Sequence, residues 1–285
     1  MKTKELLELF QNSKGQEKEI LEVKLLNEEV DSIGYKAFVD LAQLFFMKML
    51  SPIYENNKTI LRFYKLDTSS SFHKTQNGTE KYGVDSEFFS IDKTKQFSFL
   101  YYYQQALRFI NIKDKKRILN LGINRGDEFK VIKEMLGVDE FKDKEFVGID
   151  YSTSAIKFAK NDFDDKNISF IRHDINALDE LNLGKFDLII SIGTLQSSNI
   201  NFNSTFMSIY QNYLKKDGAI ILGFPNCRWI DAEMIYGAKA PNYAFSEMSL
   251  VLKDIHFCKK YLQQKKYRVV ITGKDYLFLT ARKIG

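Results

Sequence analysis

Cysteine is nearly absent: Cys227 and Cys258 are the only two in 285 residues. They stand far apart, with no CxxC and no Cys/His cluster, so neither a disulfide framework nor a metal site is encoded, and both are expected as free thiols. Long apolar runs are also missing. The best candidate, residues 37–50, is interrupted by Asp40, Gln43 and Lys48 and falls short of the roughly 18 apolar residues that a membrane span requires. The amino terminus mixes Lys2, Lys4, Glu5 and Glu8 with leucines and lacks the apolar core and cleavage site of a secretory signal, so a cytoplasmic location is expected. Excess charge of one sign is small. The net charge is +5, and lysines alternate with acids, as in Lys113, Asp114, Lys115 and Lys116, which favours solvated faces over a nucleic-acid groove. Histidine is scarce as well: His73, His173 and His256 read as surface or packing residues, and none is assigned as a catalytic base.

What remains is a globular composition, 44% apolar and 28% charged. The pattern changes near residues 110–116, which sets the expected boundary between residues 1–110 and 111–285. The first region reads as mainly helical. Leu6, Leu7, Leu9 and Phe10 share one helical face, Ile20, Val23, Leu26 and Val30 another, and residues 33–50 form a third helix that Ser51-Pro52 ends. Residues 59–66 suit an isolated strand. The polar residues 67–83 read as a flexible loop, suited to a lid that orders when ligands bind.

From residue 117 onward, strands and helices alternate. Residues 117–121, 145–149, 167–172, 186–191 and 219–224 are near-continuous apolar strands of the kind buried on both faces. Residues 127–136, 152–163 and 202–214 supply the helices between them. Parallel strands need such crossovers, so the prediction is a doubly wound α/β sheet. A helix over 254–264 then precedes two strands, 267–272 and 275–281, joined at Gly273-Lys274 as a terminal hairpin.

The first strand runs into Asn120, Leu121, Gly122, Ile123, Asn124, Arg125, Gly126 and Asp127, where a helix opens. Glycine permits a tight turn and a close approach of backbone to ligand, and the helix N-terminus offers free amides. The spacing is not GxGxxG, since Asn124 and Asp127 occupy the second and third glycine positions, and a nicotinamide dinucleotide is therefore disfavoured. Asp150 ends the second strand, 28 residues after Gly122, where a carboxylate can accept both ribose hydroxyls. Asp174 stands at the edge of the next strand, Ser191 ends the fourth, and Thr194 follows it.

This series resembles the class I S-adenosylmethionine-dependent methyltransferases, from about Phe97 to the end of the chain. The resemblance implies a Rossmann-like seven-stranded sheet whose last strand is antiparallel, with S-adenosyl-L-methionine as cofactor and direct methyl transfer as the reaction. It places Asn120, Gly122, Asn124 and Gly126 along the methionine part, Asp150 and Tyr151 at the ribose, Asp174 and Ile175 at the adenine, and Ser191 and Thr194 near the reacting methyl. Two positions depart from the family pattern. Asn124 replaces the middle glycine, which asparagine tolerates. Asn120 replaces the first-strand acid, removing a negative charge that would face the cofactor's ammonium.

Displacement at a sulfonium methyl needs alignment and exclusion of water rather than a metal or a strong base, so no catalytic residue is assigned. Arg228, Trp229, Tyr236 and Tyr243, with Ser246 and Glu247, form an aromatic insertion suited either to an acceptor or to packing on the sheet, and Tyr102 or Tyr103 on the preceding helix is placed to reach the methionine carboxylate or the acceptor. A small-molecule acceptor is favoured. RNA or protein is the alternative, should Lys113–Arg117 converge with Lys259, Lys260, Lys265 and Lys266. A non-catalytic cofactor-binding protein with a partner-binding N-terminal region is the third reading, motivated by Asn120. Residues 1–110 are equally suited to a substrate cap or a homodimer interface.

Overall fold

The computed structural model describes residues 3–13, 19–69, 78–237 and 248–284. Two compact units emerge: residues 1–75 with Cys227–Tyr236, and residues 76–226 with 237–285.

The first unit contains α1 (Thr3–Asn12), β1 (Ile20–Leu26), α2 (Asn27–Ile33), α3 (Tyr35–Leu44), β2 (Met47–Glu55) and β3 (Lys58–Lys65). The three strands form an antiparallel sheet in the order β1-β3-β2. Helices are present as expected, with strands at 20–26 and 47–55 where the sequence pattern reads as helical. Ile20, Val23 and Leu26 have helical spacing, yet the buried residues are Val23 and Leu25, two apart, which is the period of a strand. Pro52 does not end a helix. It stands on an edge strand where the β2/β3 register shifts between Leu50 and Ile53, one of the few places in a sheet that tolerates proline. The expected isolated strand is the centre of this sheet. Phe10 closes its core edge-on to Phe63, with ring centroids 4.9 Å apart.

The second unit is built from α4 (Phe97–Phe109), β4 (Arg117–Leu121), α5 (Asp127–Leu136), α6 (Val138–Lys142), β5 (Glu145–Asp150), α7 (Thr153–Asp162), β6 (Ile168–Arg172), β7 (Phe186–Ile192), α8 (Phe202–Ser208) and β8 (Leu214–Pro225). After β9 (Cys227–Ile230) and β10 (Glu233–Tyr236), it continues with α9 (Ser249–Gln264), β11 (Tyr267–Gly273) and β12 (Tyr276–Lys283). Seven strands form one sheet in the order β11-β12-β8-β7-β4-β5-β6. The β4 to β8 ladders are parallel, and β12 pairs antiparallel with both β8 and β11. This is the doubly wound sheet with a closing hairpin that the apolar runs predict.

Strand alternation divides the side chains between two faces. Leu119, Leu121, Val147, Ile149 and Ile189 join a core with Phe206 of α8 and Ile255, Cys258 and Leu262 of α9. On the other face Phe129 of α5 meets Phe146 at 5.0 Å, and Phe99 and Tyr103 of α4 pack on Phe278 of β12. Because α4 is anchored to this sheet, residues 76–110 group with the second unit.

The β9–β10 hairpin belongs to the first unit. Gln43 Nε2 donates to the Met234 carbonyl across 3.2 Å, Lys48 pairs with Glu233, and the Arg228 guanidinium lies 4.6 Å from the centre of the Phe46 ring. No helix among the described residues is long and apolar enough to cross a membrane.

Candidate functional site

The chain runs outward from β4 in one direction through β5 and β6, and in the other through β7 and β8. The carboxyl ends of β4 and β7 therefore flank a topological switch point, where open α/β sheets bind ligands. A cavity of about 370 Å³ lies there, bounded by Gly122, Asn124, Asp150, Asp174 and Thr194 among others.

Its floor is the turn after β4. Gly122 (φ +78°), Asn124 (φ +45°) and Gly126 (φ +82°) all adopt left-handed backbone, so the asparagine does keep the turn that glycine would make. The amides of Gly122 and Ile123 both donate to the Ile149 carbonyl, at 2.8 and 3.1 Å. A Cβ on Gly122 would lie 1.9 Å from Thr194 Oγ1, so the β4 and β7 turns meet only because position 122 has no side chain. Gly126 opens α5 beside Phe163 rather than at the cavity.

Asp150 is buried at the end of β5, its Oδ2 accepting from the Asn124 amide (2.9 Å) and its Oδ1 from the Ser152 amide (3.0 Å). Burial raises its carboxyl above the ordinary aspartate range, against the hydrogen bonds and the nearby Lys93 charge. At the end of β6, Asp174 Oδ1 accepts from the amide and side chain of Asn176, and Asp174 and Ile175 both border the cavity. Tyr151, 42% exposed, lies along its rim under the Arg172 guanidinium, 5.3 Å from the ring centre.

Other expected residues fall elsewhere. Ser191 is buried and donates to the Leu121 carbonyl, and Asn120 is buried within β4, so neither is part of the wall. Tyr102 is not in the wall either, and Tyr103 is core, its hydroxyl on the Glu128 carbonyl. His173 bonds the Ala177 carbonyl at 2.7 Å. Arg228, Trp229 and Tyr236 belong to the first unit. His73, Tyr243, Ser246 and Glu247 lie outside the described residues, as does much of the expected 67–83 loop.

More of the wall comes from the end of the expected 67–83 loop, from the segment that follows it, and from the turn after β7. Gly78, Thr79, Lys81, Tyr82, Phe88 and Lys93 precede α4, and Ser197–Ile200 follow β7. The first segment is pinned in place. Glu80 accepts from the amides of Thr153 (2.8 Å) and Ser154 (3.4 Å) and from the Ser152 hydroxyl (2.8 Å), capping α7 from outside the helix, while Asn124 Nδ2 donates to the Tyr82 carbonyl (2.9 Å).

Within this wall, Lys93 Nζ lies 3.0 Å from Glu128 Oε1, and both side chains are buried. Burial would lower the lysine, but the Glu128 charge prevails and holds it protonated, above its usual value. Asn120 Oδ1 and Nδ2, Glu128 Oε2 and Asp127 Oδ1 are buried without a hydrogen-bond partner among the described residues. No cluster suited to a metal occurs among the described residues.

Residues 112–268 match the family described as "Methyltransferase domain", more than half of the chain, and the protein belongs to this methyltransferase family. No curated protein is significantly similar to it. Among solved structures, the chain is similar to a plantazolicin methyltransferase in complex with SAH, at 14% identity over 73% of this chain and 94% of that one, TM-score 0.48. It is also similar to a putative caffeoyl-CoA O-methyltransferase from Staphylococcus aureus (16%, 64% and 83%, TM-score 0.44) and to a putative rRNA-methylase from Clostridium thermocellum (15%, 64% and 95%, TM-score 0.46).

Proposed function

We propose that the protein uses S-adenosyl-L-methionine to methylate a small-molecule acceptor. One observation carries the reading: the turn after β4 and the acid ending β5 are joined by the Asn124–Asp150 hydrogen bond, at a cavity whose next strand edge presents Asp174 and Ile175. The left-handed backbone of Gly122 and Asn124 where they border the cavity suits a ligand lying close to the main chain. When bound, the cofactor supplies an electrophilic methyl group on a sulfonium.

The chain's own part is to bind, orient and exclude water. Asp150 takes the ribose hydroxyls with Tyr151 beside it, Asp174 and Ile175 border the adenine, and Gly122 and Asn124 line the methionine part. Thr194 stands near the transferred methyl. Tyr82 and Phe88, rather than the expected Tyr102, wall the acceptor side. A cavity of about 370 Å³ that must hold a nucleoside-sized ligand favours a compact acceptor group.

Calorimetric titration with S-adenosylmethionine and S-adenosylhomocysteine tests this reading. Micromolar binding, about 8 kcal/mol, that is lost in Asp150→Ala is the expected result. Absence of heat and of thermal shift with both ligands would overturn it.

A further inference from the structure

Resting on the cofactor reading above, the departure at Asn120 points to a substitute elsewhere in the site. The side chain of Asn120 faces the side of the sheet that carries α4 and α5, because Leu119 and Leu121 point to the other. Neither its amide nitrogen nor its oxygen has a partner among the described residues, although the residue is only 1% exposed. On the same side, the first turn of α5 holds Glu128, also 1% exposed, with Oε1 on Lys93 and Oε2 unclaimed. Lys93 itself borders the cavity.

A buried ion pair is costly to assemble unless further partners complete it, and buried polar atoms normally find partners. Here one lysine lines the cavity, one carboxylate outside the lining holds that lysine and has an oxygen to spare, and on the same side of the sheet a neutral amide has both its donor and its acceptor unclaimed among the described residues. An α-amino acid, carrying one ammonium and one carboxylate, matches that arrangement charge for charge. We propose that Lys93 and Glu128 recognise the amino-acid end of the cofactor: Lys93 pairs with its carboxylate at the cavity wall, and Glu128 supplies the negative charge that β4 lacks.

The same geometry accounts for the neutral residue at position 120. Asp127, Glu128 and Asp150 already put three buried carboxylates around this turn, and a fourth at position 120 would be opposed by like charge. An acid there is redundant once Glu128 fills its role.

The test compares S-adenosylhomocysteine with 5′-methylthioadenosine, which keeps the adenosine and thioether but has no amino-acid end. The wild type is expected to favour S-adenosylhomocysteine at least 100-fold in calorimetry. Lys93→Met should reduce that preference to a few-fold by weakening S-adenosylhomocysteine alone, Glu128→Gln should reduce it about tenfold, and Lys93→Arg should retain most of it. Unchanged 5′-methylthioadenosine binding shows that each variant is folded. If Lys93→Met does not fold, Lys93→Gln/Glu128→Gln, which removes both charges together, takes its place and should show the same loss of preference. Equal weakening of both ligands, or an unchanged preference in the lysine variant, would overturn the assignment while leaving the cofactor reading intact. A wild type that binds neither ligand would remove the cofactor reading itself.

Discussion

The backbone amide of Asn124 donates to Oδ2 of Asp150 across 2.9 Å, tying the turn after the first strand of the large sheet to the acid that ends the second. The carboxylate is thereby oriented before any ligand arrives, and its burial raises the pKa at which it ionises. At pH values below that raised pKa the carboxyl is protonated and loses acceptor capacity toward hydroxyls. Cofactor affinity should therefore fall as pH decreases, beginning at a higher pH than an exposed aspartate would give. Asp150→Asn should bind about 100-fold more weakly and show no such fall, as titrations at a series of pH values would reveal.

Gly122→Ala places a methyl group against Thr194 Oγ1 and a side chain at φ +78°. Overpacking and left-handed strain together should cost about 2–4 kcal/mol of stability, read as a lower denaturation midpoint. Thr194→Ala in the same chain should recover only part of it, because the backbone strain persists.

Asn120→Leu should do the opposite to stability. The variant keeps the approximate volume and removes two buried polar atoms without partners, so the unliganded protein should gain about 1–2 kcal/mol in denaturant unfolding. Affinity for S-adenosylhomocysteine should drop in the same protein. A destabilised variant would mean that water or an unseen partner already satisfies the amide.

Glu80 caps the helix Thr153–Asp162 from a distant part of the chain. Burial acts to raise its pKa, but hydrogen bonds from Ser154, Ser152 and the two helix amides outweigh this and hold it below the ordinary glutamate range. A depressed folded-state pKa means that the carboxylate's contribution is present above the unfolded value and is lost as pH falls through the folded one. Glu80→Ala should remove about 1 kcal/mol at neutral pH and expose residues 78–84 to proteolysis, with the difference from wild type vanishing in strong acid.

The large sheet was legible because strands covered on both faces carry unbroken apolar runs such as Leu188, Ile189 and Ile190, which few other structures explain. The first unit was not, since Ile20, Val23 and Leu26 satisfy a helical period by coincidence while the chain buries Val23 and Leu25. Gly122, Asn124, Asp150 and Asp174 could be read from sequence because strand ends fix where their side chains go. Phe88 and Lys93 could not, and Tyr82 was reached only as part of the 67–83 loop, because an irregular segment has no period and its position is set by remote contacts such as Glu80 on Thr153. Ser191 and Asn120 show a further limit: motif position brings a residue to the site's neighbourhood, while its depth in the strand decides whether it reaches the cavity.

The hairpin Cys227–Tyr236 that joins the first unit has a consequence for how such a chain is inherited and divided. The polypeptide passes between units three times, at 75/76, 226/227 and 236/237, so no single break in the gene separates one module from the other. A fragment beginning at residue 76 would carry a hairpin with Ile235 stripped of its surroundings, and a fragment ending at residue 75 would lack it. Recombination that exchanged the front of this protein for another would have to change two stretches together.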